Sequence, residues 1–268
     1  MAEYLTNTAD LTKVASAIRA KGGTSDPLVY PDGFASAVAG IKKAPTTPYM
    51  EAEYIAVGST EGPANHYIKR AKLYNHTAIY TYEFAWQDQL QNLDFSDASN
   101  NITTIESMAF SGALMNGMVL PNTISELGRQ CFNSAYITTL TVPPLVTVLP
   151  SRAFSYIQPV YNNETWEELP INIILPQNLT KIGTSCFEGA QIKQLTIPDT
   201  VTEIGDGAFS YCEQLASITC LAVTPSALGI DAFDTETAGF TIKVPAASVA
   251  AYKAADGWKD YASYIVAM

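Results

Sequence analysis

Basic residues are scarce in this chain. Lys and Arg number 15 against 26 Asp and Glu among 268 residues, for a formal charge of −11 at pH 7. A nucleic-acid binder needs a cationic footprint to displace counterions from phosphate, so no nucleic-acid partner is expected. An anionic lipid surface repels such a chain for the same reason. Histidine is scarcer still, with only His66 and His76, and the four cysteines (Cys131, Cys186, Cys212, Cys220) form no Cys-x-x-Cys pair. No metal site and no cofactor are expected from so few ligand-type residues at these spacings. No apolar run reaches the roughly 18 residues that a membrane span requires. Met1 to Asp10 contain neither a basic n-region nor an apolar h-region, so no secretory signal is expected either. No Gly-x-Ser-x-Gly elbow is present, and Gly22-Gly23 lacks the pattern of a phosphate loop. Neither histidine sits beside a nucleophile, and both are expected as surface or cap residues. The chain is therefore expected to be non-enzymatic.

Aromatic residues are plentiful, with 15 Tyr and 10 Phe, and only 15% of the chain is charged, which excludes a disordered polymer. The phenylalanines carry a repeat. Phe84, Phe110, Phe132, Phe154, Phe187, Phe209 and Phe233 are separated by 26, 22, 22, 33, 22 and 24 residues. The period is 22, and the interval of 33 contains an 11-residue insertion. Five residues before each Phe stands an aliphatic: Ile79, Ile105, Leu127, Leu149, Ile182, Ile204 and Leu228. Eleven residues before four of them stands Pro121, Pro143, Pro176 or Pro198.

An alternating stretch precedes each proline: Met118-Val119-Leu120, Leu140-Thr141-Val142, Ile173-Ile174-Leu175 and Leu195-Thr196-Ile197. Period 2 predicts a short strand, and proline ends it by removing a ladder donor. Gly128, Gly183 and Gly205 lie four residues before a Phe, where a tight turn with positive φ is expected. One such unit cannot bury its own apolar face. Stacked units can, with the phenylalanines in file through the core. The fold class expected is a leucine-rich-repeat solenoid of short parallel strands.

Ile197 to Cys212, which run IPDTVTEIGDGAFSYC, resemble the repeat of the BspA-like leucine-rich-repeat family, and the resemblance extends over about residues 76–245. It implies a parallel-strand solenoid used in adhesion or recognition. Val244 to Trp258 are similar to the segment that closes many such arrays, with a short capping helix over Ser248 to Ala255.

Residues 1–43 do not repeat. Leu11, Val14, Ala15 and Ile18 predict an amphipathic helix stopped by Gly22-Gly23, and Phe34, Val38 and Ile41 a second one after the Pro31-Asp32-Gly33 turn. Asp10 to Thr24 with Tyr30 to Phe34 resemble a short module at the start of tail-associated structural proteins of phages and prophages. That resemblance implies attachment to a virion scaffold, and the apolar helical faces also allow self-association. The expected organisation is a helical attachment module over 1–43, a linker over 44–49 and a solenoid over 50–268, with a lead-in segment at 50–75 and a cap at 245–268.

Two surfaces are candidates for ligand binding. One is the outward row of the strands: Thr139, Thr141, Asn172, Ile174, Gln194, Thr196, Thr241 and Lys243. Simple strand preference accounts for threonine there as well as recognition does. The other is the insertion, with Tyr161, Asn162, Asn163, Glu164 and Trp166, which suits a sugar or protein contact, or a loop whose Trp covers the solenoid's flank. Two functions follow: a phage or prophage tail-associated protein binding a host-surface ligand, or a bacterial cell-surface adhesin binding host protein or glycan. Cys131 and Cys186 share the small buried slot before Phe, two coils apart and too distant to bridge. All four cysteines are expected to be structural.

Overall fold

The computed structural model describes residues 48–57, 65–162, 165, 167–233 and 237–268. The helices expected over residues 1–43 lie outside the described residues. The described chain is a solenoid of stacked coils with parallel β-ladders, and the phenylalanine file is its axis. The rings of Phe84, Phe110, Phe132, Phe154, Phe187, Phe209 and Phe233 stack in that order. Their centroids are 5.2–5.6 Å apart and their planes within 5–12° of parallel. All seven are buried.

The alternating stretches form strands at Thr139–Thr141, Asn172–Ile174 and Gln194–Ile197, and Ser217–Cys220 and Thr241–Val244 continue the series. Every neighbouring pair within a ladder is parallel. Each proline then opens a turn. The carbonyls of Pro121, Pro143, Pro176 and Pro198 accept the amides of Ile124, Val146, Leu179 and Val201, which are buried. Met118 to Leu120 depart from the expected strand and are irregular. Gly117, the residue in register with Thr139, has φ +67°, which takes the chain out of the extended conformation where that strand would begin.

Periodicity hides two further features. The aliphatic five residues before Phe belongs to a second row of two-residue parallel strands. One ladder joins Ala78–Ile79, Thr104–Ile105 and Glu126–Leu127; the other joins Val148–Leu149, Lys181–Ile182, Glu203–Ile204 and Ala227–Leu228. The glycines before Phe have a role other than the one expected. Gly128, Gly183 and Gly205 are absent from the positive-φ positions. They are small because the previous coil runs against them. A Cβ on Gly205 would lie 2.6 Å from the Thr184 amide nitrogen, and one on Gly128 or Gly229 would collide with the Ser107 or Asp206 backbone.

The left-handed residues stand instead two before each Phe: Tyr82, Met108, Gln130, Arg152, Ser185, Gly207 and Asp231, with φ of 51–59°. The turn needs this conformation although it costs a non-glycine residue about 1–2 kcal/mol. What offsets the cost is a ladder of amides. Phe84, Phe110, Phe132, Phe154, Phe187 and Phe209 each donate N–H to the residue before the next coil's Phe, at 2.7–2.9 Å.

Both ends of the stack are covered. The lead-in segment is a hairpin of Tyr49–Val57 and Asn65–Tyr74, and its second strand pairs parallel with Asn92–Asp94. Tyr49 and Tyr74 stack across it, with centroids 4.6 Å apart. The outer strand thereby shields the first coil's edge. At the other end Val249–Ala254 forms the expected short helix. Behind it Trp258 and Tyr252 are buried edge-to-face, 4.8 Å apart. Tyr261 packs edge-on to Phe233 at 5.3 Å, and its hydroxyl accepts the Phe233 amide at 3.4 Å, in place of the carbonyl a further coil would supply. Ile265–Ala267 pairs parallel with Thr241–Val244 as the last strand.

Substitutions in the file and in the turn test this packing. Phe209→Ala opens a cavity in the file and lowers unfolding free energy by about 3–5 kcal/mol in urea titration; a loss under about 1 kcal/mol shows that the file does not carry the core. Gly205→Ala costs about 1–3 kcal/mol because backbone must move, whereas Gly207→Asn, at φ +58°, costs under about 1 kcal/mol since Asn tolerates the left-handed region. The reverse order assigns the constraint to φ rather than to coil contact.

Candidate functional site

Along the strands Thr139–Thr141, Asn172–Ile174 and Gln194–Ile197 the buried and outward residues alternate. In Asn172–Ile174 the middle Ile173 is buried and both neighbours are exposed, and in Gln194–Ile197 the outward residues are Gln194 and Thr196. Because the ladders are in register, outward residues form straight rows. Thr139 faces Asn172 and Thr141 faces Ile174. Gln194 aligns with Ser217 and Thr241, and Thr196 with Thr219 and Lys243. Thr219, half-buried beside a buried Ser217, does not stand out in the sequence, and its alignment with Thr196 is the signal that would have found it.

The front face divides into two sheets. Asn172–Ile174 belongs with Thr139–Thr141, and Gln194–Ile197 with the strands that follow. A shallow polar groove of about 320 Å³ lies at this division, lined among others by Asn172, Ile174, Gln194, Thr196, Thr219 and Lys243. The structure therefore brings Asn172, Gln194 and Thr196 to one place, with Thr139 and Thr141 on the flanking strand. Ile174, 45% exposed, is an apolar spot in an otherwise polar floor.

The insertion is a small hairpin. Val160–Tyr161 pairs antiparallel with Glu168–Leu169, and the Asn162 amide donates to the Glu167 carbonyl at 2.9 Å. Tyr161 is exposed and its hydroxyl donates to Glu168 Oε1 at 3.3 Å. Asn162 holds the turn through its Oδ1, which accepts the Thr165 amide. Asn163, Glu164 and Trp166 lie outside the described residues. The hairpin ends three residues before Asn172, so it directly precedes the strand that borders the groove.

Of the two positions expected for His76, surface or cap, the structure shows the second. It is buried, with Nε2 2.8 Å from Glu83 Oε1 and Nδ1 3.0 Å from the Tyr74 carbonyl. Glu83 occupies the slot before Phe that is Ala or Cys in the other coils, and its Oε2 accepts the Tyr80 amide. Both ring nitrogens are thus engaged by structural oxygens at the start of the file. The side chain of His66 lies outside the described residues.

All four cysteines are buried. Burial pushes the Cys131 and Cys186 thiols far above their ordinary range and that of Cys220 up to about 12. Cys212 Sγ donates to the Phe187 carbonyl at 3.0 Å. Among the described residues no three His, Cys, Asp or Glu side chains converge as a metal site would require. No helix there is long and apolar enough to cross a membrane.

Models of the BspA type leucine rich repeat region, in six copies, match residues 77–171 and 168–247. The chain belongs to the BspA-type leucine-rich-repeat family. The match starts after the N-terminal segment, and nothing in the comparisons extends the phage-tail resemblance of residues 1–43. No curated protein matches the chain. Among solved structures, it is similar to a leucine-rich cell-surface protein of Faecalibacterium prausnitzii (22% identity, TM-score 0.45), covering 65% of this chain and 53% of that one. It is also similar to a leucine-rich-repeat protein of Bacteroides ovatus (18%, TM-score 0.32), covering 63% and 52% of the two chains. The pneumococcal vaccine antigen PcpA matches at 18% identity and TM-score 0.28, covering 70% and 63%. This BspA-type chain thus spans between half and two thirds of the length of each.

Buried thiols held in their neutral form do not react. The native protein is therefore expected to take up well under one equivalent of Ellman's reagent at pH 8, and four after denaturation in guanidinium. Rapid reaction of Cys131 or Cys186 in the native state rules out a purely structural role.

Proposed function

We propose that this BspA-type chain is a non-enzymatic recognition segment of a bacterial cell-surface protein and binds a host protein or glycan on its front strand face. The observation that carries the proposal is the groove where Asn172, Gln194 and Thr196 meet Thr219 and Lys243. These side chains are outward, and none is needed for the core. Within each of the two sheets, aligned hydroxyl and amide groups at a strand spacing of about 4.8 Å present donors and acceptors to a ligand. The hairpin adds Tyr161, and the sequence places Asn163, Glu164 and Trp166 beside it. Membership in a repeat family associated with adhesion supports a surface location over a virion one. The partly open groove and scattered carboxylates favour binding over turnover.

The purified chain is tested on immobilised extracellular-matrix proteins and an array of host-type glycans. The double variant Gln194→Ala/Thr196→Ala is expected to lose about tenfold in affinity, and Tyr161→Ala or Trp166→Ala about 1–3 kcal/mol, as for an aromatic anchor. Excising residues 159–168 should leave the melting temperature within a few degrees, since each coil rests only on its neighbours. Unchanged binding in all of these variants sinks the assignment to this face.

A further inference from the structure

Two residues past each of the first six ladder phenylalanines the backbone is again left-handed. The φ is 61° at Trp86, 68° at Gly112, 55° at Ser134, 56° at Tyr156, 65° at Gly189 and 58° at Tyr211. Trp86, Gly112, Ser134, Tyr156 and Gly189 each donate N–H to the equivalent turn of the next coil, so these positions run in single file along one edge. Glycine and serine do the backbone's work at three of them. At the other three stand large aromatics, 63%, 45% and 67% exposed for Trp86, Tyr156 and Tyr211. Neither core packing nor turn preference explains an exposed aromatic in a conformation that glycine adopts at no cost.

Two of the three rings are also seated. A Cβ on Gly112 would collide with the six-membered ring of Trp86, and a Cβ on Gly189 would lie 2.5 Å from Tyr156 Cδ1 and Cε1. In both cases an aromatic is followed, one coil on, by a glycine over which its ring lies. One ring face rests on the turn and the other meets water. Tyr156 is further fixed by its hydroxyl, which donates to Glu188 Oε1 at 2.8 Å, while Arg152 Nη2 lies 3.5 Å from Glu188 Oε2. Polar groups thus flank the central platform.

We infer that Trp86, Tyr156 and Tyr211 form a stacking platform for a neutral, extended β-linked polysaccharide lying along the solenoid axis. The apolar face of a pyranose ring matches a flat aromatic, and flanking polar groups meet its equatorial hydroxyls. The spacing fits such a polymer. Tyr156 and Tyr211 are two coils apart, roughly 10 Å, and Trp86 and Tyr156 three coils apart, roughly 15 Å, at the strand spacing of a ladder. One coil is close to the length of one sugar residue in an extended β-linked chain, so the three rings meet whole residues of it. A net charge of −11 repels polyanions and leaves neutral glycans as the matching class. This edge shares no residue with the front strand groove, so the inference goes beyond the function proposed above and stands or falls separately from it.

The test uses the full chain with microcrystalline cellulose and chitin in pull-down, and soluble mixed-linkage β-glucan in native affinity electrophoresis. Retention by at least one polymer is expected. Trp86→Ala, Tyr156→Ala and Tyr211→Ala each weaken it about tenfold or more, and the triple variant abolishes it. Tyr156→Phe, which keeps the ring, stays within about twofold, and Val119→Ala, at an exposed position outside both the turn edge and the strand groove, leaves retention unchanged. Circular dichroism and melting temperature verify folding; should the triple variant unfold, the three single variants at exposed positions decide the question. The inference is overturned if no polymer retains the wild-type chain, if the aromatic variants bind as well as wild type, or if these side chains are needed only for a protein partner.

Discussion

The step from one coil to the next is the constraint on which the rest of this structure depends. It is set by two files that share a turn: the stacked phenylalanine rings, 5.2–5.6 Å apart, and the amides of the same residues, bonded to the following coil at 2.7–2.9 Å. Ring stacking and an amide ladder of strand-like spacing demand almost the same separation. The backbone accepts left-handed conformations at Met108, Gln130 and Arg152 to keep both in register. Glycine appears where that step leaves no room for a Cβ, as at Gly128 and Gly205.

An open-ended stack of this kind must be stopped at both ends, because the outermost coils present unpaired amides and apolar faces. The two ends use different means. A hairpin strand, Tyr49–Val57, seals the first edge through backbone pairing, while buried His76 and Glu83 replace the small residue that the first coil would otherwise carry. At the far end bulk aromatics do the work: Trp258 and Tyr261 cover Phe233, and the Tyr261 hydroxyl receives its amide.

Once the step is fixed, side chains pointing away from the core are free to vary, and any two equivalent positions are separated by whole coils. A repeat protein therefore converts one-dimensional sequence spacing into a ruler on its surface. The front rows use the ruler for polar groups around Asn172, Gln194 and Thr196, and the turn edge for Trp86, Tyr156 and Tyr211. The 11-residue insertion breaks the period without disturbing the phenylalanine file, since Phe154 and Phe187 still stack at 5.2 Å across it.

The sequence alone was enough to determine the solenoid, its phenylalanine file, the proline-ended strands and the small slot shared by Cys131 and Cys186. Each is a local pattern repeated at a fixed interval, and repetition makes a weak signal legible. It misjudged Met118 to Leu120, where a single left-handed Gly117 overrides an alternating pattern, and it left His76 between surface and cap because burial beside Glu83 has no local signature. Only the tertiary structure decided why Gly205 is glycine, since its neighbour Thr184 belongs to another coil. Only the structure, too, joined Gln194 to Ser217 in one row and seated Trp86 on Gly112, because these contacts form between residues a full repeat apart and exist only when the coils stack.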